Sequence, residues 1–255
     1  MASRSTPRVV LFDLDDTLFD HASAARAALR CVHDAHTGFS ARAFETFEAE
    51  HAECLEVLHR RVIAGELTVD DARLERFRRL FAASGVRAGD QLLQDTAMRY
   101  RRTYLDARRP MPGARDLLAA LKPRVRIGIV SNNILDEQQG KLRHCGFDSF
   151  IDALVVSEDA GVSKPDPAIF RIALARLQAR EDEAVMVGDS WGADVEGAHA
   201  AGIRAVWFNR FRQPPPRTGV AALDAFAPLD AALAVILDRP ESRPRNDQAA
   251  VECPV

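Results

Sequence analysis

Long apolar segments, an excess of positive charge and closely paired cysteines are all absent from this chain of 255 residues. No stretch approaches the roughly 20 uninterrupted apolar residues that a membrane-spanning helix requires, and residues 1–8 lack the apolar segment of a secretory signal. The 34 basic side chains are balanced by 37 acidic ones, which excludes a general electrostatic attraction to nucleic acid. We therefore expect a cytoplasmic protein with neither nucleic-acid nor membrane partners.

The four cysteines lie far apart and form no CxxC pair, which argues against a disulfide framework and against a thiolate zinc site. Lysine is also scarce, because arginine supplies all but three of the basic side chains. Each remaining lysine therefore raises the question of what an ammonium does there that a guanidinium does not. The three lysines are Lys122, Lys141 and Lys164.

Five short apolar runs, each bounded by polar or turn residues, predict the buried strands of a largely parallel sheet. Helical patterns separate the later runs, and their ends carry the proline and glycine residues that commonly start and stop helices. This alternation predicts an α/β fold with a doubly wound, mainly parallel, Rossmann-like sheet. The five runs are 9–12, 127–130, 154–156, 184–187 and 205–208.

More than one hundred residues separate the first run from the second, far more than a connection between a strand and a helix needs. Four segments in this interval carry apolar residues at helical spacing; they are 22–35, 41–63, 69–84 and 90–107. We therefore predict a helical companion domain over 19–109, inserted into a core domain formed by 1–18 and 110–238. Residues 239–255 are polar and contain proline, and we expect them to form a disordered tail.

Polar residues follow the predicted strands at the positions where ligands bind in open α/β sheets. Asp13 follows the first run and Asp189 the fourth, while Asp15 and Asp194 come shortly after each of them. Crowded carboxylates repel one another unless a cation or protons neutralise them, and a set of oxygen ligands suits Mg²⁺. The sequence therefore predicts a magnesium site formed by these four aspartates.

An anion site is predicted beside the carboxylates. Lys164 comes soon after the third run and offers a compact ammonium that can reach a carboxylate and a phosphate oxygen together. The Ser131 hydroxyl can donate a hydrogen bond, and the main-chain amides of Asp16, Thr17 and Asn132 can complete a cradle for a phosphate group. Each of these residues alone could be an ordinary turn or cap residue, and only their combination favours phosphate chemistry.

Four sequence motifs together resemble the ordered motifs of the haloacid dehalogenase-like (HAD) hydrolase superfamily; they are Asp13-Leu-Asp-Asp-Thr17, Ser131, Lys164-Pro165 and Gly188-Asp189-x4-Asp194. Their order and their positions at strand ends make the resemblance specific. The companion domain at 19–109 is similar to the C1 cap of that superfamily. The resemblance implies a Rossmann-like core with an inserted α-helical cap domain.

The resemblance also implies a role for each carboxylate. Asp13 matches the nucleophile, which would form an aspartyl-phosphate. Asp15 matches the general acid and base, and its main-chain carbonyl would also bind the metal. Asp189 would hold Mg²⁺ directly, whereas Asp194 would act on the ion without being its direct ligand. The anion site would bind the phosphoryl group during its transfer.

Dehalogenases of the superfamily are the main competing interpretation. Displacing a halide requires neither a metal nor a proton for the leaving group, and such members lack a carboxylate at the position of Asp15. The presence of Asp15 and Asp189 therefore favours hydrolysis of a phosphate ester, although Ser131-Asn132 resembles the dehalogenase second motif. Phosphomutases share all four motifs. A regulatory protein that had lost turnover would usually lack one of the catalytic groups.

The sequence thus predicts a Mg²⁺-dependent phosphatase that hydrolyses a small phosphorylated metabolite through an aspartyl-phosphate on Asp13. A 2-haloacid dehalogenase, a phosphomutase and a non-catalytic phosphate-binding regulatory protein are the alternatives. Monomer and homodimer are equally compatible with the sequence. The motifs recognise only the phosphoryl group that all such substrates share, so they do not identify the rest of the substrate.

Overall fold

The computed structural model describes residues 6–237 and contains a six-stranded sheet in which all strand pairs are parallel. The strands lie in the order β3-β2-β1-β4-β5-β6. They are β1 Val9–Phe12, β2 Arg126–Ser131, β3 Ala153–Val156, β4 Ala184–Gly188, β5 Arg204–Phe208 and β6 Ala221–Leu223. After β1 the chain builds β2 and β3 on one side and then returns to build β4 on the other. This reversal beside β1 opens a crevice at the carboxyl ends of the strands.

The helices of the described chain connect these strands and cover the sheet. The α-helices are α1 His21–Ala35, α2 Thr37–Ser40, α3 Phe44–Ile63, α4 Val69–Ala83, α5 Asp90–Asp106, α6 Ala114–Leu121, α7 Leu135–Cys145, α8 Ser157–Ala160, α9 Pro167–Arg176, α10 Gly197–Ala200 and α11 Leu229–Leu237. Two single 3₁₀ turns lie at Asp148–Phe150 and Glu181–Glu183, and a π-helical segment, Trp191–Glu196, follows β4. The predicted doubly wound α/β fold is confirmed.

Both faces of the sheet are buried, which explains why its strands are continuous apolar runs. On one face, Val9, Leu11 and Met186 pack with Ile169 and Phe170 of α9. On the other face, strand residues join a larger apolar cluster that also includes side chains of the helices between β1 and β2. The five predicted strands match the observed ones to within one residue at each end. The short strand β6 was not predicted.

Helices α1–α5 lie between β1 and β2, and we call this segment, 21–106, the helical insertion. Four helices were predicted here, and the structure adds the single turn α2. Aromatic rings pack together inside the insertion. The Phe39 ring stacks on that of Phe81, with 4.3 Å between ring centroids, and is tilted against that of Phe47, with 4.6 Å between centroids. Their cluster continues into the sheet face through Phe12 and Phe19. The division into a core and a cap domain stays a prediction.

Several predictions concern parts of the chain or properties outside this description. The expected disordered tail at 239–255 lies outside the described residues. Within 6–237, none of the helices combines the length and the hydropathy that a membrane span requires. Cys31, Cys54 and Cys145 are free thiols. The cytoplasmic location and the choice between monomer and homodimer stay predictions.

Candidate active site

The strand ends bring the predicted acidic and basic residues to one place. Asp13 directly follows β1, and its main-chain amide donates to the Val187 carbonyl of the neighbouring strand β4 at 2.9 Å. Ser131 is the last residue of β2, and Asp189 directly follows β4. Lys164 lies between α8 and α9, on the connection that leaves β3. Because the strands are parallel, all four positions lie at the same edge of the sheet.

Lys164 joins two of the predicted carboxylates. Its Nζ lies 2.6 Å from an oxygen of Asp13 and 2.7 Å from an oxygen of Asp194. All three side chains are buried, so these are hydrogen-bonded ion pairs shielded from water. Burial lowers the pKa of Lys164, but the two carboxylates outweigh this effect, and its pKa lies above the ordinary value. The lysine is therefore a fixed positive charge.

Asp189 completes the acidic cluster. One carboxylate oxygen from each of Asp13, Asp189 and Asp194 lies within 4.8 Å of the others. Thr17 positions Asp189 twice, because its Oγ1 accepts from the Asp189 amide at 3.0 Å and donates to the carboxylate at 3.3 Å. The Trp207 indole donates to the Asp189 carbonyl at 2.8 Å. Thr17 therefore orients the carboxylate, and Trp207 fixes the main chain that carries it.

The electrostatics of this cluster indicate unbalanced negative charge. Burial, together with the neighbouring carboxylates Asp194, Asp189 and Asp15, raises the pKa of Asp13 despite the opposing charge of Lys164. Burial and the charges of Asp194 and Asp16 raise the pKa of Asp189 to about 7. With all three carboxylates ionised, the cluster and its one ammonium would carry two negative charges, the number that a divalent cation balances. The oxygen donors therefore fit a hard cation such as Mg²⁺.

The Asp194 carboxylate is held by a main-chain amide close to it in the sequence. Asp194 lies in the π-helical segment, and its second carboxylate oxygen accepts from the Ser190 amide at 3.0 Å. Segments of this kind are uncommon and often occur at functional sites. Gly188 makes the approach possible, because a Cβ at that position would lie 2.6 Å from Cβ of Asp194. In the Gly188-Asp189 pair, the glycine therefore leaves space for the Asp194 side chain, and the aspartate supplies a carboxylate of the cluster.

The predicted anion-binding residues are near the cluster, with some of their groups already bonded. The Ser131 hydroxyl accepts from Gln138 at 2.5 Å. The Asn132 side chain bonds both the amide and the carbonyl of Lys164, at 2.7 and 2.8 Å, and so fixes the lysine loop. The Asp16 and Thr17 amides donate to carbonyls of their own turn. Their predicted part in a phosphate cradle stays a prediction.

Asp15 lies in a second polar cluster that sequence reasoning did not anticipate. Its carboxylate is 2.6 and 2.8 Å from the Lys141 ammonium, and it accepts from Gln138 at 3.0 Å and Asn133 at 3.1 Å. Burial raises the pKa of Asp15, but Lys141, His21 and these hydrogen bonds outweigh it, so the pKa lies well below the ordinary value. Asp15 is therefore ionised when the site is at rest.

The sequence contains one signal that could have pointed to Lys141, which is that it is one of only three lysines. The predicted metal contact of Asp15 was through its main-chain carbonyl, and its carboxylate is not among the three that cluster around Asp189. His21 also borders this second cluster, with its Nδ1 3.0 Å from the Tyr104 hydroxyl and 3.9 Å from Asp15. The two clusters are joined at the Asp13 to Asp15 turn.

A cavity of about 490 Å³ leads from Asp15 into the helical insertion. Asn132, Asn133 and Lys141 line its end at the sheet, and side chains of α3, α4 and α5 form most of the remaining wall, to which His21 and Glu137 also contribute. The volume suits a small metabolite. The cavity is therefore the space in which the non-reacting part of a substrate would lie.

Known proteins with similar sequences and structures were compared with this chain. Residues 7–202 match the model of the haloacid dehalogenase-like hydrolase family. The HAD-hydrolase YfnB of Bacillus subtilis is 30% identical over 208 residues, which is 81% of this chain and 86% of YfnB. The ribulose-1,5-bisphosphate 5-phosphatase of Halopiger xanaduensis is 33% identical over 207 residues, 78% of this chain and 84% of that enzyme.

Solved structures give the same result. The magnesium-bound crystal structure of YfnB superposes with a TM-score of 0.72 and 26% identity, covering 91% of this chain and 99% of YfnB. A 2-haloacid dehalogenase from Pseudomonas syringae superposes with a TM-score of 0.62 and 25% identity, covering 89% and 98%. With the parallel sheet, the clustered aspartates and the buried lysine, these matches identify the chain as a member of the haloacid dehalogenase-like hydrolase family.

Proposed function

We propose that this protein is a Mg²⁺-dependent phosphatase that hydrolyses a small phosphorylated metabolite. The observation that carries the proposal is the buried Lys164, which joins Asp13 and Asp194 beside Asp189. One ammonium among three carboxylates leaves an excess negative charge that one divalent cation would balance. A relative named as a ribulose-1,5-bisphosphate phosphatase and the magnesium-bound YfnB structure support it. Asp13, Asp189 and the main-chain carbonyl of Asp15 would bind Mg²⁺ directly, and Asp194 would support the ion without contacting it.

In the first half of the proposed reaction, a carboxylate oxygen of Asp13 attacks phosphorus. The bond between phosphorus and the ester oxygen breaks, and Asp15 donates a proton to the leaving oxygen. Lys164 lies beside Asp13 and would neutralise charge on the phosphoryl oxygens. Mg²⁺ would add further neutralisation of those oxygens when bound.

Asp15 is ionised at rest and must gain its proton before it can act as an acid. A phosphate monoester has a second pKa near about 6, so its monoanion brings one proton into the site. The negative charge of the bound phosphate also raises the proton affinity of the nearby carboxylate. In the second half, Asp15 takes a proton from the water that attacks the aspartyl-phosphate, the bond to Asp13 breaks, and phosphate leaves.

We also propose that the helical insertion acts as the cap predicted over 19–109. Its helices α3, α4 and α5 form most of the cavity wall, so they would contact the substrate beyond its phosphate. A cap in this position excludes bulk water from the aspartyl-phosphate.

Dehalogenation is the second candidate, favoured by the structural likeness to the Pseudomonas syringae enzyme and by the Ser131-Asn132 pair. Asp15 argues against it, since halide displacement requires no proton transfer and has no use for the half-buried Asp15 carboxylate that Lys141 holds in place. Chloride release from 2-chloropropionate in the presence of a chelator separates the two activities. Chloride release in the presence of the chelator, without any phosphatase activity, would show that the protein is a dehalogenase and overturn the proposed function.

The main test is hydrolysis of p-nitrophenyl phosphate with Mg²⁺ and with a chelator. We expect turnover only with the metal, and a loss of at least about 10³-fold in kcat for Asp13→Asn because the amide is a poor nucleophile. Asp116→Asn, an exposed position on α6, is the matched control and should retain activity. Equal activity of the Asp13 and Asp116 variants would overturn the assignment of the nucleophile.

A further inference from the structure

The wall of the cavity within the helical insertion is mostly apolar. Leu55, Leu58 and Val62 line it from α3, and Ala72 and Ala97 line it from α4 and α5. Such a wall would pack against carbon atoms of a substrate and gives no direction to a polar group. Any preference for a charged substrate must therefore come from the few polar side chains that reach this wall.

Arg76 of α4 is the buried cation of this wall. It lines the cavity, and only 8% of the residue is exposed. Its guanidinium lies over the ring of Tyr100 at 4.3 Å and near the ring of Phe77 at 4.8 Å. Within the described chain, its Nε has no hydrogen-bond partner. Leaving one donor atom of a buried cation without a partner costs free energy, so its retention requires an explanation.

Within 6–237, no carboxylate forms an ion pair with Arg76, and none is among the main influences on its pKa. Burial lowers the pKa of Arg76 most, and the main groups acting beside it are Tyr100, which also shares a hydrogen bond with the guanidinium, Arg73 and Cys54. Two other arginines at the same cavity differ in this respect. Arg73 and Arg101 both form ion pairs with Glu137, at 2.7 and 2.8 Å. Arg76 is thus a buried cavity cation without the acidic partner that its neighbours have.

His51 of α3 lies behind the cavity wall, on the ring of Tyr100 that Arg76 also contacts. It is buried, its ring packs on Tyr100 at 5.6 Å, and its Nε2 has no hydrogen-bond partner within 6–237. Arg76 and His51 therefore contact the same aromatic ring, and each contributes an unpaired polar atom. Unpaired buried atoms of this kind commonly mark the position of an absent ligand or water.

We propose that Arg76 binds a second anionic group of the substrate, a carboxylate or a second phosphate, at the end of an apolar segment that spans the cavity from the reacting phosphate. This inference rests on the proposed phosphatase function and specifies its substrate class. The planar guanidinium can bind two oxygens of either anion at once. The apolar wall excludes competing water, which strengthens that ion pair.

The test uses a series of alkyl phosphates of three to six carbons whose far end is a methyl group, a carboxylate or a second phosphate. For the wild-type protein with Mg²⁺, we expect kcat/KM to be about ten- to a hundredfold higher for one charged member than for the methyl-ended ester of equal length. The chain length with the largest ratio gives the span of the cavity. The preferred end group distinguishes a carboxylate from a phosphate.

The variant Arg76→Met should bring the charged-to-methyl ratio close to one, and Arg76→Lys should restore part of it. Arg78→Gln is the matched control, since Arg78 lies on the same helix but is exposed and paired with Glu75. It should leave the ratio unchanged. Because the ratio is first measured on the wild-type protein, the test does not depend on the folding of a variant.

Three outcomes would overturn this inference. A wild-type ratio near one at every chain length would do so while leaving the phosphatase function intact, provided that p-nitrophenyl phosphate is hydrolysed. A high ratio that survives in Arg76→Met would assign the anion to another residue. If neither the series nor p-nitrophenyl phosphate is hydrolysed, the proposed function fails and this inference fails with it.

Discussion

At the scale of single residues, Lys141 is the side chain that holds Asp15 in place. The Lys141 ammonium lies 2.6 and 2.8 Å from the two carboxylate oxygens, and only 3% of the lysine side chain is exposed. An ion pair of this geometry, between a buried lysine and a half-buried aspartate, fixes the direction of the carboxylate as well as its charge. Lys141 is therefore a positioning residue for Asp15 in the proposed reaction.

Replacing Lys141 by methionine should lower kcat/KM for p-nitrophenyl phosphate at least about tenfold, because Asp15 loses both its counter-charge and its orientation. Lys141→Arg should recover part of the loss, since a guanidinium keeps the charge but not the compact shape. Lys122→Met is the control, because Lys122 pairs with Asp152 and is one-third exposed. Wild-type kinetics in a folded Lys141→Met protein would contradict the positioning role.

The site residues at the strand ends could be predicted from the sequence, whereas the contacts made by side chains on helix faces could not. Asp13 and Asp189 were placed together because parallel strands must gather their ends. The contact of Lys141 with Asp15 depends on how α7 packs over the sheet, and no local pattern encodes that packing angle. The same reason applies to Arg76, since four arginines of α4 read alike in the sequence although their burial differs.

At the level of elements, the π-helical segment after β4 delivers Asp194 to Lys164, and Gly188 provides the space. Gly188→Ala should displace the Asp194 carboxylate, because the new Cβ would lie 2.6 Å from Cβ of Asp194. We expect apparent Mg²⁺ affinity to fall at least about tenfold, measured both by activation of hydrolysis and by the thermal stabilisation that Mg²⁺ gives.

Gly192→Ala is the matched control for that substitution. Gly192 lies in the same π-helical segment, and a Cβ there would meet no atom within 4 Å. It should bind Mg²⁺ as the wild type does. Equal Mg²⁺ affinity in the two alanine variants would show that the approach of Gly188 to Asp194 does not control the metal site.

The elements themselves were predictable to different extents for physical reasons. The strands β1–β5 were predicted because strands buried on both faces need continuous apolar runs. Strand β6, Ala221–Leu223, has three residues and lies at the edge of the sheet, so it lacks that pattern. Helix α2 is a single turn, too short to show helical periodicity. The π-helical segment Trp191–Glu196 was not predicted either, since π-helices are rare and have no composition pattern of their own.

At the scale of the whole molecule, Glu137 connects the helical insertion to the helices on the sheet. It lies on α7, and it forms ion pairs with Arg73 of α4 and Arg101 of α5. Its side chain is only 17% exposed, and these pairs lie at the rim of the cavity. Two ion pairs on one carboxylate would hold the insertion over the site when the substrate is bound.

Glu137→Gln should therefore loosen the insertion without altering the reacting groups. We expect KM for p-nitrophenyl phosphate to rise about two- to tenfold with a smaller change in kcat, since partly exposed ion pairs contribute about 0.2–1 kcal/mol each. Amide hydrogen exchange in α4 and α5 should also become faster. Glu75→Gln is the matched control, because Glu75 also pairs with two arginines, Arg78 and Arg79, but all three belong to α4. If the two glutamine variants change KM and exchange equally, the ion pairs of Glu137 stabilise the insertion itself and do not hold it over the site.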